Sequence, residues 1–303
     1  MPETFPRGRF VWHELLTTAP DAAVRFYGTV VGWGVEPYPN APDYRVWTMR
    51  GTSMGGLMRL PEEARRMGAP PNWLTYVAVP DVDTTLRQAQ GLGARVVVQP
   101  REIPSVGRFA TLADPAGASF AVFRPAGDQM GSDEPTPGDF SWHELATNDW
   151  RSAWEFYRAL FGWEKADAMD MGPAGTYQMF RRVGHPRILG GLYNKPPEMP
   201  APPHWLSYVQ VPGADAAAET VTKLGGKVVN GPMEVPGGDR IAMCIDPQGA
   251  AFAVHSVAAK PAAKLKKKPP MKPKAKKTKV KKATKSARQV VKRRTHKRTT
   301  RRR

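Results

Sequence analysis

Residues 10–33 read FVWHELLTTAPDAAVRFYGTVVGW, and residues 140–163 read FSWHELATNDWRSAWEFYRALFGW. Each copy has a β-like run ending in Trp-His-Glu-Leu, a polar turn, an amphipathic helix ending in Phe-Tyr, and then Gly-Trp. The Trp-His pairs stand at 12/13 and 142/143, an offset of 130. An internal repeat of this length limits the architecture more than any composition does. Its register persists. Trp73-Leu-Thr-Tyr76-Val returns as Trp205-Leu-Ser-Tyr208-Val, and Asp114-Pro-Ala-Gly117 as Asp246-Pro-Gln-Gly249, both at an offset of 132. The chain is therefore expected to carry a duplicated domain with small loop insertions.

Each copy divides again. Phe10–Leu16 reads as a strand. Thr18-Ala-Pro-Asp starts a helix that runs to about Val30, with Pro at the first turn where its missing N–H costs nothing. Trp33–Glu36, Tyr44–Met49 and Gly55–Leu60 are strands, which completes one βαβββ module. Pro61–Pro71 reads as a proline-bounded linker. A second module follows: strand Trp73–Val79, a helix from Asp81 to Leu92, and strands Ala94–Val98, Arg108–Ala113 and Ser119–Phe123. The tight turn at Asp114 joins the last two. The expected fold is α+β, with domain one at 7–125, a Gly/Pro-rich linker at 126–137, domain two at 138–257 and a tail at 258–303.

Charge is divided as unevenly as the repeat is even. Residues 260–303 hold 22 of the chain's 45 Lys and Arg and no Asp or Glu, so the body keeps 23 basic against 27 acidic residues. The tail has almost no large apolar residue, cannot bury a core and is expected to be disordered. It resembles the lysine-rich tails of linker histones and bacterial nucleoid proteins. It offers cations for phosphates and no aromatic ring to stack on a base, so non-specific association with DNA or RNA is expected. The residues expected to carry it include Lys266, Lys267, Lys268, Lys276, Lys277, Lys281, Lys282, Arg293, Arg294, Arg301, Arg302 and Arg303. Cys244 is the single cysteine, so no intrachain disulfide can form. That content, with no signal-like start and no apolar run long enough for a membrane span, fits a cytoplasmic protein that its tail would place at the nucleoid.

The repeat resembles the vicinal oxygen chelate superfamily of glyoxalases, bleomycin-resistance proteins and extradiol dioxygenases. The resemblance covers residues 7–256. It rests on the Phe26-Tyr27 and Phe156-Tyr157 pairs, Gly32-Trp33 and Gly162-Trp163, and the Asp-Pro-x-Gly turns. It implies two modules per domain curled into a half-barrel around a cleft. It also implies a metal held by first- and last-strand residues, and here the sequence departs. The usual first His position falls on Trp12 and Trp142, the second on Leu74 and Leu206, and the usual Glu on Ala121 and Ala253. These are not metal ligands. No cofactor is therefore expected; a divalent metal would have to use other residues.

By strand alternation Glu14 and Glu144 share the cleft face with Trp12 and Trp142, while His13 and His143 point to the opposite face. Tyr76, Ser119 and Phe123 face the first cleft, and Tyr208 and His255 the second. A carboxylate and a phenol among aromatics suit a small organic ligand. Glu14 and Glu144 are the candidate catalytic groups, as general bases desolvated beside tryptophan. Two functions stay open: a lyase or hydroxylase using this non-standard site, and a metal-free protein that sequesters its ligand. His255 could join Glu144 and Tyr208. Gly55-Gly56 and Gly190-Gly191 read as sites of close backbone approach.

Overall fold

The computed structural model describes residues 5–39, 41–127 and 133–258. The residues assigned above to nucleic acid lie outside them. In domain one, β1 (Phe10–Thr17), α1 (Pro20–Val30), β2 (Gly34–Tyr38), β3 (Ala41–Met49) and β4 (Thr52–Arg59) form the first module. After a short helix α2 (Glu62–Arg66) come β5 (Asn72–Ala78), α3 (Val82–Gly91), β6 (Arg95–Ile103), β7 (Gly107–Ala113) and β8 (Ser119–Pro125). Domain two repeats the order with β9 (Phe140–Thr147), α4 (Trp150–Phe161), β10 (Trp163–Asp170), β11 (Thr176–Arg182) and β12 (Ile188–Asn194), then β13 (His204–Gln210), α5 (Ala214–Lys223), β14 (Lys227–Glu234), β15 (Arg240–Ile245) and β16 (Ala251–Ser256). Each domain is one eight-stranded mixed sheet, ordered β2-β3-β4-β1-β5-β8-β7-β6 and β10-β11-β12-β9-β13-β16-β15-β14. The α+β duplication read from the sequence is the fold. The Pro61–Pro71 linker is corrected in one respect: residues 62–66 are helical, with Glu62 and Glu63 in the first turn and Arg65 and Arg66 in the last, as the helix dipole favours.

The first strand of each domain is bent by an irregularity. Pairing of β1 with β5 shifts register between Phe10 and Trp12, and pairing of β9 with β13 shifts between Phe140 and Trp142. One extra residue there breaks the alternation. Trp12, Glu14, Trp142 and Glu144 keep to the cleft face, while Phe10 and Phe140 turn back into the core. Gly55 and Gly190 lie so close to the carbonyls of His13 and His143 that a Cβ would collide with backbone, which fits the close-approach reading.

The two cores are shared between domains. One packs α1 and Trp33, Trp47 and Trp73 of domain one against α5 and Phe252 of domain two; the other packs α3 and Phe120 against α4, Trp163 and Trp205. Many of the residues that carry the repeat motif serve this interface. The Tyr27 hydroxyl donates to Asp246 Oδ2 at 3.1 Å, and the Tyr157 hydroxyl to Asp114 Oδ2 at 2.9 Å. Trp33 Nε1 donates to the Gly138 carbonyl at 2.9 Å, and Trp163 Nε1 to that of Gly8 at 2.8 Å. Each turn aspartate therefore closes its own turn and accepts a phenol from the other domain, so neither carboxylate is buried unpaired.

Candidate functional site

Tyr76 is the antiparallel partner of Trp12, and Leu74 that of Glu14; Tyr76 is in turn the parallel partner of Ala121. Domain two repeats the register with Trp142 opposite Tyr208, Glu144 opposite Leu206 and Tyr208 beside Ala253. This pairing brings Trp12, Glu14 and Tyr76 to one face of the first sheet, and Trp142, Glu144 and Tyr208 to one face of the second. In the first cleft Leu74, Tyr76 and Ala121 pack with Val11, Trp12, Phe109 and Phe123. In the second, Leu206, Tyr208 and Ala253 pack with Trp142, Ile241, Met243 and Ala251. The walls differ: aromatic rings at 109 and 123 in the first cleft give way to Ile241 and His255 in the second.

Glu14 is 8% exposed and Glu144 6%. Each carboxylate sits in a cage of phenols. The Tyr76 hydroxyl donates to Glu14 Oε2 at 3.0 Å, the Tyr44 hydroxyl also bonds Glu14, and Trp12 Nε1 donates to Tyr44 at 3.2 Å. In domain two the hydroxyls of Tyr177 and Tyr208 donate to Glu144 Oε2 at 3.0 and 3.2 Å, Tyr193 adds a third, and Trp142 Nε1 donates to Tyr177 at 2.8 Å. Gly56 and Gly191 make room for these rings, because a Cβ at either would strike Tyr44 or Tyr177.

Burial drives the electrostatics. It raises the Glu14 carboxyl above the usual range against the opposing pull of the Tyr44 and Tyr76 hydrogen bonds. It pushes Glu144 up to about 7, with its phenols again pulling down. Burial, with the neighbouring carboxylate adding to it, also raises the phenols that cage them, so the tyrosines stay protonated donors. Glu144 is thus poised to hold or release a proton near neutrality.

The structure joins His255 to other partners than Glu144 and Tyr208. Its Nδ1 is 2.9 Å from Ser141 Oγ, and its Nε2 is 2.9 Å from Asp239 Oδ2. Ser119 is exposed at the start of β8, away from the packed wall that includes Phe123. Trp12 and Trp142 are half-buried in the clefts, whereas Trp33 and Trp163 belong to the shared cores. Sequence reasoning missed Tyr44, Tyr177 and Tyr193. The first two recur at an offset of 133, close to that of the other motifs, so the repeat held a signal for them. Tyr193 stands where domain one has Met58, and the repeat gave none.

Trp12, Leu74 and Ala121 converge in one cluster, and Trp142, Leu206 and Ala253 in the other. In each cleft a single carboxylate is caged by phenols and an indole N–H, and the first cleft adds the buried Thr111 hydroxyl opposite Ala121. Transition metals prefer several nitrogen, carboxylate or thiolate donors, and this set does not fit one. Among the described residues no three His, Cys, Asp or Glu side chains are placed to share an ion.

A family model described as a glyoxalase-like domain matches residues 12–123. One described as the glyoxalase/bleomycin resistance protein/dioxygenase superfamily matches residues 140–254. The chain is 32% identical over 247 residues to a Mycobacterium tuberculosis (strain CDC 1551 / Oshkosh) protein provisionally named glyoxylase CFP32, covering 80% of this chain and 92% of the relative. It is 30% identical over 272 residues to the anthracycline biosynthesis protein DauV of Streptomyces sp. (strain C5), covering 86% and 97%. Its fold is similar to that of the Mn(II)-bound glyoxalase from Novosphingobium aromaticivorans, with a TM-score of 0.57, 17% identity and 84% of each chain covered. It is also similar to the 2,3-dioxygenase LapB from Pseudomonas sp. KL28, with a TM-score of 0.55, 12% identity and 85% and 96% covered.

Proposed function

The chain belongs to the glyoxalase/bleomycin resistance protein/dioxygenase superfamily as a tandem-domain ligand-binding or ligand-transforming member, and we propose that its clefts handle a small organic ligand through a caged carboxylate rather than a bound metal. The observation that carries this reading is Glu144, deeply buried, held by the hydroxyls of Tyr177, Tyr193 and Tyr208 and raised to about 7.

An ionised Glu144 accepts from its phenols. When it takes a proton from a ligand, Oε2 becomes a poorer acceptor and a tyrosine hydroxyl is released to donate to the ligand's oxygen. The cage thus couples proton removal at one ligand atom to hydrogen-bond donation at another, which is general acid–base chemistry at neutral pH. The reverse transfer uses the same groups. In the first cleft Trp12, Tyr76, Phe109 and Phe123 offer a more aromatic wall around Glu14, which favours holding a planar apolar ligand by stacking. DauV's role in anthracycline biosynthesis makes polycyclic aromatic compounds the first class to try.

We also propose that the tail holds the protein on nucleic acid, on the ground of its 22 cationic side chains and its lack of anionic ones. That reading and the cleft chemistry stand independently.

Native mass spectrometry of the full chain, isolated without chelator and incubated with an anthracycline, tests the cleft reading. We expect a chain carrying the organic ligand and no stoichiometric transition metal, with the adduct weakened by Trp142→Ala and Trp12→Ala together. A chain that carries zinc, iron or manganese at near one per domain, with ligand bound only while the metal is present, would overturn it.

A further inference from the structure

Apart from the clefts, one buried titratable pair stands out at the junction of the domains. His13 Nε2 and His143 Nε2 are 2.7 Å apart, with both residues buried. Each ring stacks on a phenylalanine of the other domain: His13 on Phe140 at 3.6 Å and 16°, His143 on Phe10 at 3.6 Å and 6°. Two imidazoles this close share one hydrogen, and burial lowers the pKa of both, so both are neutral near pH 7.

Their remaining nitrogens are not equivalent. His143 Nδ1 is 3.3 Å from the Leu189 carbonyl, which only accepts. Nδ1 of His143 therefore carries the hydrogen and its Nε2 accepts, so His13 Nε2 donates. A neutral His13 then presents a bare lone pair at Nδ1, and no described residue hydrogen-bonds to it. The cross-strand neighbours of the pair add to this unspent capacity. Thr75 lies opposite His13 and Ser207 opposite His143. Both hydroxyls are buried without a hydrogen-bond partner among the described residues. Buried polar groups left this way are rare and costly.

His13 and His143 also line a cavity of about 450 Å³ between the domains. Its walls combine the apolar Met49, Met54 and Leu189 with polar groups, and exposed Ser53 stands at its rim. That size suits a small organic molecule. We propose that this inter-domain cavity is a second ligand site, for a small hydroxyl-bearing organic molecule with an apolar flank, whose O–H donates to His13 Nδ1. The apolar flank lies against the methionines and Leu189, and the hydroxyl meets the imidazole nitrogen of the pair that the described residues leave open. Neither cleft carboxylate takes part, so this inference stands apart from the cleft reading.

The test is ¹⁵N NMR of the full chain labelled at histidine, with phenol as the probe and toluene as its hydroxyl-free counterpart. Phenol should move the His13 Nδ1 resonance saturably, toluene should leave it in place, and Glu144→Gln should not change the response. Ser53→Trp, which fills the rim at an exposed position, should weaken the apparent phenol affinity about tenfold or more. An unsaturable shift, an equal shift with toluene, or an undiminished response in Ser53→Trp would overturn the proposal.

Discussion

Glu144→Gln should reduce any proton-transfer turnover by the second cleft about 10²- to 10⁴-fold, the range that a positioned acid–base group contributes. Glutamine keeps the size of the side chain and can still accept from Tyr177 and Tyr208, but it cannot exchange a proton near pH 7. Ligand affinity should change far less than turnover. The same substitution should alter stability in a defined direction. Burial raises Glu144 to about 7 from an ordinary value of 4.5, so the folded chain holds a proton that the unfolded chain loses across that window. Its contribution is therefore full below pH 4.5 and is lost as pH rises toward 7, on the order of 3 kcal/mol. Buried His13 and His143 act with the opposite sign. Their lowered pKa values withdraw stability as pH falls below 6.5, through about 3 for His143. Both chains share the histidines, so the difference between wild-type and Glu144→Gln denaturation curves isolates the carboxyl. The variant should gain relative stability from pH 4.5 to 7. A flat difference, together with unchanged turnover, would make Glu144 a purely structural residue.

The tail should confer nucleic-acid binding whose affinity falls by orders of magnitude between low and physiological salt. The body carries 23 basic against 27 acidic residues and should be repelled by phosphate, while residues 260–303 supply 22 cations. Each neutralised phosphate adds about 0.9 to the slope of log affinity against log salt, so about ten engaged charges give a slope near −9. With no aromatic to stack and no groove-reading element, unrelated DNA sequences should bind alike. Salt titrations of the full chain and of a chain ending at Ala259 check this. Equal binding by the shortened chain, or a shallow slope in the full one, would contradict it.

The fold was legible because its motif is duplicated. Trp-His-Glu-Leu, the Asp-Pro-x-Gly turns and the near-constant offset specify the number of modules and their order without reference to any tertiary contact. Alternation also placed Glu14 and Glu144 in the clefts, because strand parity holds after the register shift at Phe10–Trp12. What parity could not give was the partner across strands. Tyr44 and Tyr177 reach their carboxylates from β3 and β11, and that depends on sheet order and on the missing side chains of Gly56 and Gly191. The His13–His143 contact was out of reach for a different reason. Parity sent both rings to the core face, but their meeting requires two domains packed with their repeats opposed. Parity placed His255 on the cleft face beside Ile241, as the strand register does, but its ring nitrogens meet Ser141 and the loop residue Asp239 rather than Glu144.

In the proposed function a carboxyl titrating near neutrality, rather than a metal, handles the ligand. ¹³C NMR of the full chain labelled at the glutamate carboxyl, titrated with and without EDTA and assigned by Glu144→Gln, tests it most directly. The Glu144 midpoint is expected near 7 and unchanged by EDTA. A midpoint near the ordinary 4.5, or a Glu144 that stays ionised across the titration until EDTA strips a metal from it, would contradict a metal-free, proton-exchanging carboxyl.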